Sequence, residues 1–138
     1  MGTRAFVDTS VLVYLYDSAD SHKRNRAREL LLDDSFDLVI SSQVLSEFYV
    51  TVTRKIAAPL SPEDAGLAVE ALGELEVVPL TRNLVIDAIA TGTEHGLSHW
   101  DAMMVEAASR SGTDTLFTED LATGSTIRGV EIVNPFSL

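Results

Sequence analysis

The chain has 138 residues, 46% hydrophobic and 22% charged, proportions that suit one soluble domain built around one core. It contains no cysteine, which rules out disulfides and thiolate metal sites and is compatible with a reducing cytoplasm. The formal net charge of −11 argues against gripping nucleic acid by phosphate neutralisation alone, unless divalent cations and a local basic patch supply the missing positive charge.

Residues 1–16 hold one arginine and an apolar stretch interrupted by Asp8, Thr9 and Ser10, a pattern unlike a secretory leader. No run approaches the roughly 18 apolar residues of a membrane span, so the expectation is a cytoplasmic protein without a membrane partner. Ala5 to Val7 reads as a short strand and Thr9 to Tyr16 as a helix. His22 to Leu32 reads as a basic helix, with Ala27, Leu30 and Leu31 inward and the patch Lys23, Arg24, Arg26 and Arg28 along it. Leu38 to Ile40 is a second strand, and Ser42 opens a helix to about Ile56.

Ser61-Pro62-Glu63-Asp64 is a helix start, with a cap serine, a first-turn proline and an acid three residues after the cap. That helix extends to about Leu75. Glu76 to Pro79 is a third strand, Asn83 to Glu94 a helix, and Ser98 to Ser111 another, closed by Gly112. Leu116 to Thr118 and Val130 to Val133 complete the strands. Strand–helix alternation with short connections predicts one α/β domain over 1–138, a three-layer α/β/α sandwich with a central, mainly parallel sheet of about five strands. In such sheets ligands bind beyond the carboxyl ends of the strands, near the point where strand order reverses.

Four acids fall where that rule directs attention. Asp8 follows the first strand in Phe6-Val7-Asp8-Thr9-Ser10, as a helix cap or as a carboxylate aimed from the strand end. Glu47 sits at the margin of the apolar stripe Val44, Leu45, Phe48 and Val52, where an early-helix acid also favours the helix dipole. Asp101 completes a capping box with Ser98 yet shares a stripe with Met104, Val105 and Ala108. Asp120 repeats the placement of Asp8 after Leu116-Phe117-Thr118, with Glu119 beside it as a substitute. Each position has an ordinary structural explanation, but together the four can converge on one edge of the sheet. Clustered carboxylates repel one another unless a cation is present, and hard oxygen donors suit Mg²⁺ or Mn²⁺. Carboxylate-held metal is the usual apparatus for attack of water on a phosphodiester.

This arrangement resembles the PIN domain and, within it, the VapC-type toxins of toxin–antitoxin pairs, over nearly the whole chain. The resemblance is carried by Phe6-Val7-Asp8-Thr9-Ser10, Ser46-Glu47-Phe48, Ser98-His99-Trp100-Asp101-Ala102, Leu116-Phe117-Thr118-Glu119-Asp120-Leu121 and Val133-Asn134-Pro135-Phe136. It implies that Asp8, Glu47, Asp101 and Asp120 form a catalytic, metal-binding quartet supported by Ser10 and Thr118. It also implies a Mg²⁺-dependent endoribonuclease, a homodimer and a cognate antitoxin that blocks the site.

With the water activated by metal, His22, His95 and His99 read as bystanders. Arg24 and Arg28, four residues apart on the basic helix, are the expected RNA-backbone contacts, although such a stripe also suits a solvated surface or a partner's docking site. Trp100, Tyr14, Tyr16 and Tyr49 have faces on which bases stack, but aromatics beside apolar stripes read as core or interface. Apolar positions near Val11, Tyr14 and Tyr49 are the expected support for a dimer. Two rival readings remain: an aspartate-dependent phosphotransfer or phosphatase domain, disfavoured because Thr9 and Ser10 follow Asp8, and an RNA- or partner-binding scaffold without catalysis.

Overall fold

The computed structural model describes residues 2–137. Chain order runs β1 (Thr3–Val7), α1 (Thr9–Leu12), a 3₁₀ turn (Val13–Leu15), α2 (Ser21–Leu32), β2 (Phe36–Ser41), α3 (Ser42–Arg54) and α4 (Pro62–Leu72). It continues with β3 (Glu76–Val78), α5 (Arg82–His95), α6 (His99–Arg110), β4 (Thr115–Phe117), β5 (Thr126–Ile127) and β6 (Val130–Val133). The helix expected over Thr9 to Tyr16 tightens to 3₁₀ geometry after Leu12.

The six strands form one sheet in the order β3-β2-β1-β4-β6-β5, parallel throughout except for the β5–β6 pair. Helices flank it in a three-layer α/β/α sandwich. In β1, Ala5, Phe6 and Val7 are all fully buried, as expected of a parallel strand covered on both faces. Helix α6 packs on α5, β2, β4 and β6, and its residues from Ala102 to Ala108 are buried without a break. Strand order reverses between β1 and β4, because β2 and β3 extend the sheet on one side of β1 and the later strands extend it on the other. Val7 pairs with Phe117 there, so Asp8 and Thr118 leave the sheet side by side.

The sheet has one strand more than expected. β5 is two residues long and reaches β6 through a two-residue turn, with Ile127 paired to Val130. Both turn residues have positive φ, Arg128 at 53° and Gly129 at 80°, a conformation that favours Asn-Gly over Arg-Gly. The Arg128 side chain compensates: its Nε donates to Oε1 of Glu106 at 2.9 Å. That carboxylate, only 2% exposed on α6, also accepts from Thr91 Oγ1 and lies 3.8 Å from Arg110. A buried acid on the central helix thus fixes the hairpin at the sheet edge.

Two variants separate the guanidinium contact from the backbone conformation. Arg128→Ala and Arg128→Gly both remove the guanidinium, but only alanine keeps a Cβ at positive φ. Arg128→Gly should therefore be the more stable by about 1 kcal/mol in denaturant unfolding. Equal stability would mean that the turn carries no left-handed strain.

Candidate active site

A cleft of about 590 Å³ opens at the switch point and is lined by Asp8, Glu47, Asp101 and Asp120 together with Ser10, Gln43, Thr51, Lys55 and Trp100. The four acids reach it from four elements: the end of β1, the second turn of α3, the first turn of α6 and the segment after β4.

Asp8 is the most enclosed, at 6% exposure. It occupies the N-cap position of α1 with extended backbone, yet its carboxylate makes no capping bond. Its Oδ2 instead accepts from Ser10 Oγ at 2.8 Å and from Thr118 Oγ1 at 2.9 Å, while its N–H donates to Phe117 O across the β1–β4 ladder. Burial pushes the Asp8 carboxyl up from its ordinary value, and the charge of Glu47 adds to the rise. The hydroxyls of Ser10 and Thr118 and the Thr9 N–H pull the other way.

Asp120 is the most open of the four. Its N–H donates to Thr118 Oγ1 at 3.1 Å, so one threonine hydroxyl ties both strand-end acids together. Partial burial raises its carboxyl first, and the negative charges of Asp8, Asp101 and Glu119 raise it further. At the start of α6 the Ser98 hydroxyl accepts from the Asp101 N–H, but among the described residues no bond returns from the Asp101 carboxylate to Ser98. The acid half of the capping box is thus directed to the cleft.

Glu47 is aimed by a residue that sequence inspection missed. Gln43, buried one turn earlier on α3, donates through Nε2 to Glu47 Oε1 at 2.8 Å and to Trp100 O at 3.1 Å. It therefore links the acid to the first turn of α6. The spacing of four from Glu47 was the available signal.

Several sequence expectations are placed elsewhere. Glu119 does not line the cleft; it accepts from Tyr14 Oη at 2.7 Å and pairs with Lys23. Arg24 and Arg28 also lie outside the cleft lining; Arg28 is exposed, whereas Arg24 is half-buried with its Nε enclosed and unpaired. Arg26 donates to Pro135 O, so part of the basic patch ties the fold together instead of facing solvent. Val11 is not an exposed dimer contact: it is 1% exposed, in the core, and Tyr14 stacks edge-on against Phe136. Trp100 is not a core residue: it stands 63% exposed on the cleft wall. Among the described residues no helix is long and apolar enough to cross a membrane.

Hard carboxylate oxygens are the donor chemistry of Mg²⁺ and Mn²⁺, and the mutual charge effects on Asp8 and Asp120 are those a cation relieves. Among the described residues no three acids or histidines form a ready-made cage.

No curated protein matches the sequence significantly. Solved structures do match the fold. The VapC20 toxin of Mycobacterium tuberculosis, described as cleaving the sarcin–ricin loop, aligns with a TM-score of 0.68 at 22% identity, covering 84% of this chain and 91% of that one. A toxin–antitoxin complex from Klebsiella pneumoniae gives 0.71 at 20% identity, with coverages of 95% and 97%. VapBC2 from Rickettsia felis, bound to a DNA fragment from its promoter, gives 0.66 at 20% identity, with coverages of 94% and 97%. The PIN domain family profile matches residues 5–123, and with that span the chain belongs to the PIN domain family.

Proposed function

We propose that the protein is a metal-dependent endoribonuclease, the toxin of a VapBC-type pair, that hydrolyses RNA phosphodiesters in this cleft. The observation that carries the reading is the meeting of Asp8, Glu47, Asp101 and Asp120 in one cleft at the sheet's switch point. Membership of the PIN family and likeness to toxin structures support it, and belonging to that family sets aside the phosphotransfer alternative. The implied partners are an RNA substrate, a cognate antitoxin and a second copy of the chain, and the implied compartment is the cytoplasm.

Asp8, Asp101 and Asp120 would hold Mg²⁺, directly or through water, with Glu47 as a further ligand or as the base that orients the water. The ion supplies a water of lowered pKa and charge neutralisation at the scissile phosphate. The chain's own residues do the positioning. Ser10 and Thr118 both donate to one oxygen of Asp8, which fixes the plane of its carboxylate. Gln43 holds one oxygen of Glu47 and leaves the other to orient a water and receive its proton. The hydroxyl of Thr118 also secures the backbone at Asp120.

The raised Asp8 carboxyl sets a pH test. An acid raised in the fold contributes stability that is full below its unfolded value and is lost as pH rises through the folded value. At neutral pH the ionised carboxylate therefore weighs against the metal-free fold. Asp8→Asn should raise the melting temperature in chelator at pH 7, and its advantage should shrink as the pH falls below the folded value. Mg²⁺ should then stabilise wild type and leave the variant unchanged, because only an ion-binding native state gains by linkage. A variant that melts below wild type in chelator, with an equal response to Mg²⁺, would overturn the assignment of Asp8 as a metal ligand.

Cleavage of unpaired RNA supplies the direct test. Activity should require Mg²⁺ or Mn²⁺ and fall by at least about 100-fold in Asp8→Asn or Asp101→Asn. Induced wild-type protein should arrest growth where Asp8→Asn does not. Metal binding without cleavage would instead identify a scaffold.

A further inference from the structure

One wall of the cleft is α3, where Val44, Ser46 and Val50 flank a row of longer polar side chains. Gln43, Glu47, Thr51 and Lys55 recur at a spacing of four, and all four line the cleft. Lys55 caps the helix with αR backbone and still donates its N–H to Thr51 O at 2.8 Å, so it continues the row. From Gln43 to Lys55 the row rises about 18 Å along the axis. The Gln43 end is bonded to the Trp100 carbonyl, which sets the exposed indole there. Lys55 stands at the other end, with Glu47 between.

Each end is chemically distinct from the cleft it borders. Lys55 is the sole basic side chain among the described lining residues, and among the described residues it has no carboxylate partner within salt-bridge distance. Trp100 is the only tryptophan of the chain and presents a largely bare ring immediately before Asp101. Its one aromatic neighbour is His99, edge-on at 5.9 Å, which leaves ring surface uncovered. An indole face stacks a nucleobase whatever its identity, and an ammonium at a groove end neutralises a backbone phosphate.

We infer that Trp100 and Lys55 form the two ends of a strand clamp: a base stacks on the Trp100 indole, a phosphate farther along binds Lys55, and the linkage between them lies over the carboxylates. The inference rests on the ribonuclease reading and adds to it the residues that position the strand. Both are positioning residues; neither takes part in proton transfer.

The lone tryptophan makes the clamp directly observable. The full-length Asp8→Asn protein is titrated with a labelled, unpaired oligoribonucleotide, reading indole fluorescence and label anisotropy, while wild-type cleavage of the same RNA is measured in parallel. RNA should quench Trp100, and an abasic nucleotide at one position should relieve the quenching without abolishing binding. Adding Trp100→Ala should weaken binding about 10- to 100-fold, and adding Trp100→Phe should restore most of it. Adding Lys55→Gln should leave quenching intact but make log affinity against log salt shallower by about 0.7, the share of one single-strand phosphate contact. A lysine that served only the dipole at the end of α3 would change stability and leave that slope alone.

If RNA is cut by wild type and bound by Asp8→Asn while fluorescence and salt slope ignore these residues, the clamp is wrong and the nuclease stands. If RNA is neither cut nor bound, both fall. If Trp100→Ala disrupts self-association and leaves RNA affinity unchanged, the indole belongs to a protein interface and the clamp is overturned.

Discussion

Parallel pairing of β1 with β4 sets Val7 opposite Phe117, and the acidic cleft takes its geometry from that register. The Asp8 N–H closes the ladder on Phe117 O, and in the next position Thr118 sends its hydroxyl to the Asp8 carboxylate. Because the same hydroxyl accepts from the Asp120 N–H, the second strand-end acid is located by the first. A one-residue slip between these strands would turn Thr118 to the opposite face and leave Asp8 buried without one of its two hydroxyl donors. The hydrophobic burial of Phe6, Val7, Leu116 and Phe117, all at or near zero exposure, makes such a slip expensive. The fold thus enforces an arrangement that burial and neighbouring charge both oppose at Asp8.

Some of this was legible in the sequence because local chemistry and tertiary role coincide. An apolar run ending in Asp, as at Phe6-Val7-Asp8, marks the carboxyl end of a strand wherever the strand pairs. Ser98 and Asp101 announce a helix start, and the start of α6 is where the cleft lies. What could not be read depends on direction. Gln43 and Lys55 matter only once the row through Glu47 is known to face the cleft. Lys23, Arg24, Arg26 and Arg28 looked like a binding stripe because composition reports charge without its partners; Lys23 is committed to Glu119 and Arg26 to Pro135 O. Position 100 lies two residues before the buried run of α6 that begins at Ala102, so the rule that places aromatics in cores fails there. β5 escaped because two residues carry no period and Arg-Gly is a poor turn signal without the buried Glu106 that secures it.

The charge distribution constrains how such a protein meets a polyanion. Arg4, Lys23, Arg26, Arg110 and Arg128 all stand in ion pairs with acids of the same chain, so half of the ten basic residues are already engaged within the fold. With a net charge of −11, long-range attraction cannot supply RNA affinity. On the proposed reading, binding would come from short-range contacts: cations held in the cleft, stacking on an exposed ring, and a single ammonium where the acids end. Unlike a basic groove, this leaves little affinity for nucleic acid that cannot offer a splayed base, because a duplex keeps its bases stacked on each other and presents only phosphates to an acidic surface. Selectivity for unpaired RNA would then follow from the poverty of positive charge itself, before any base edge is read.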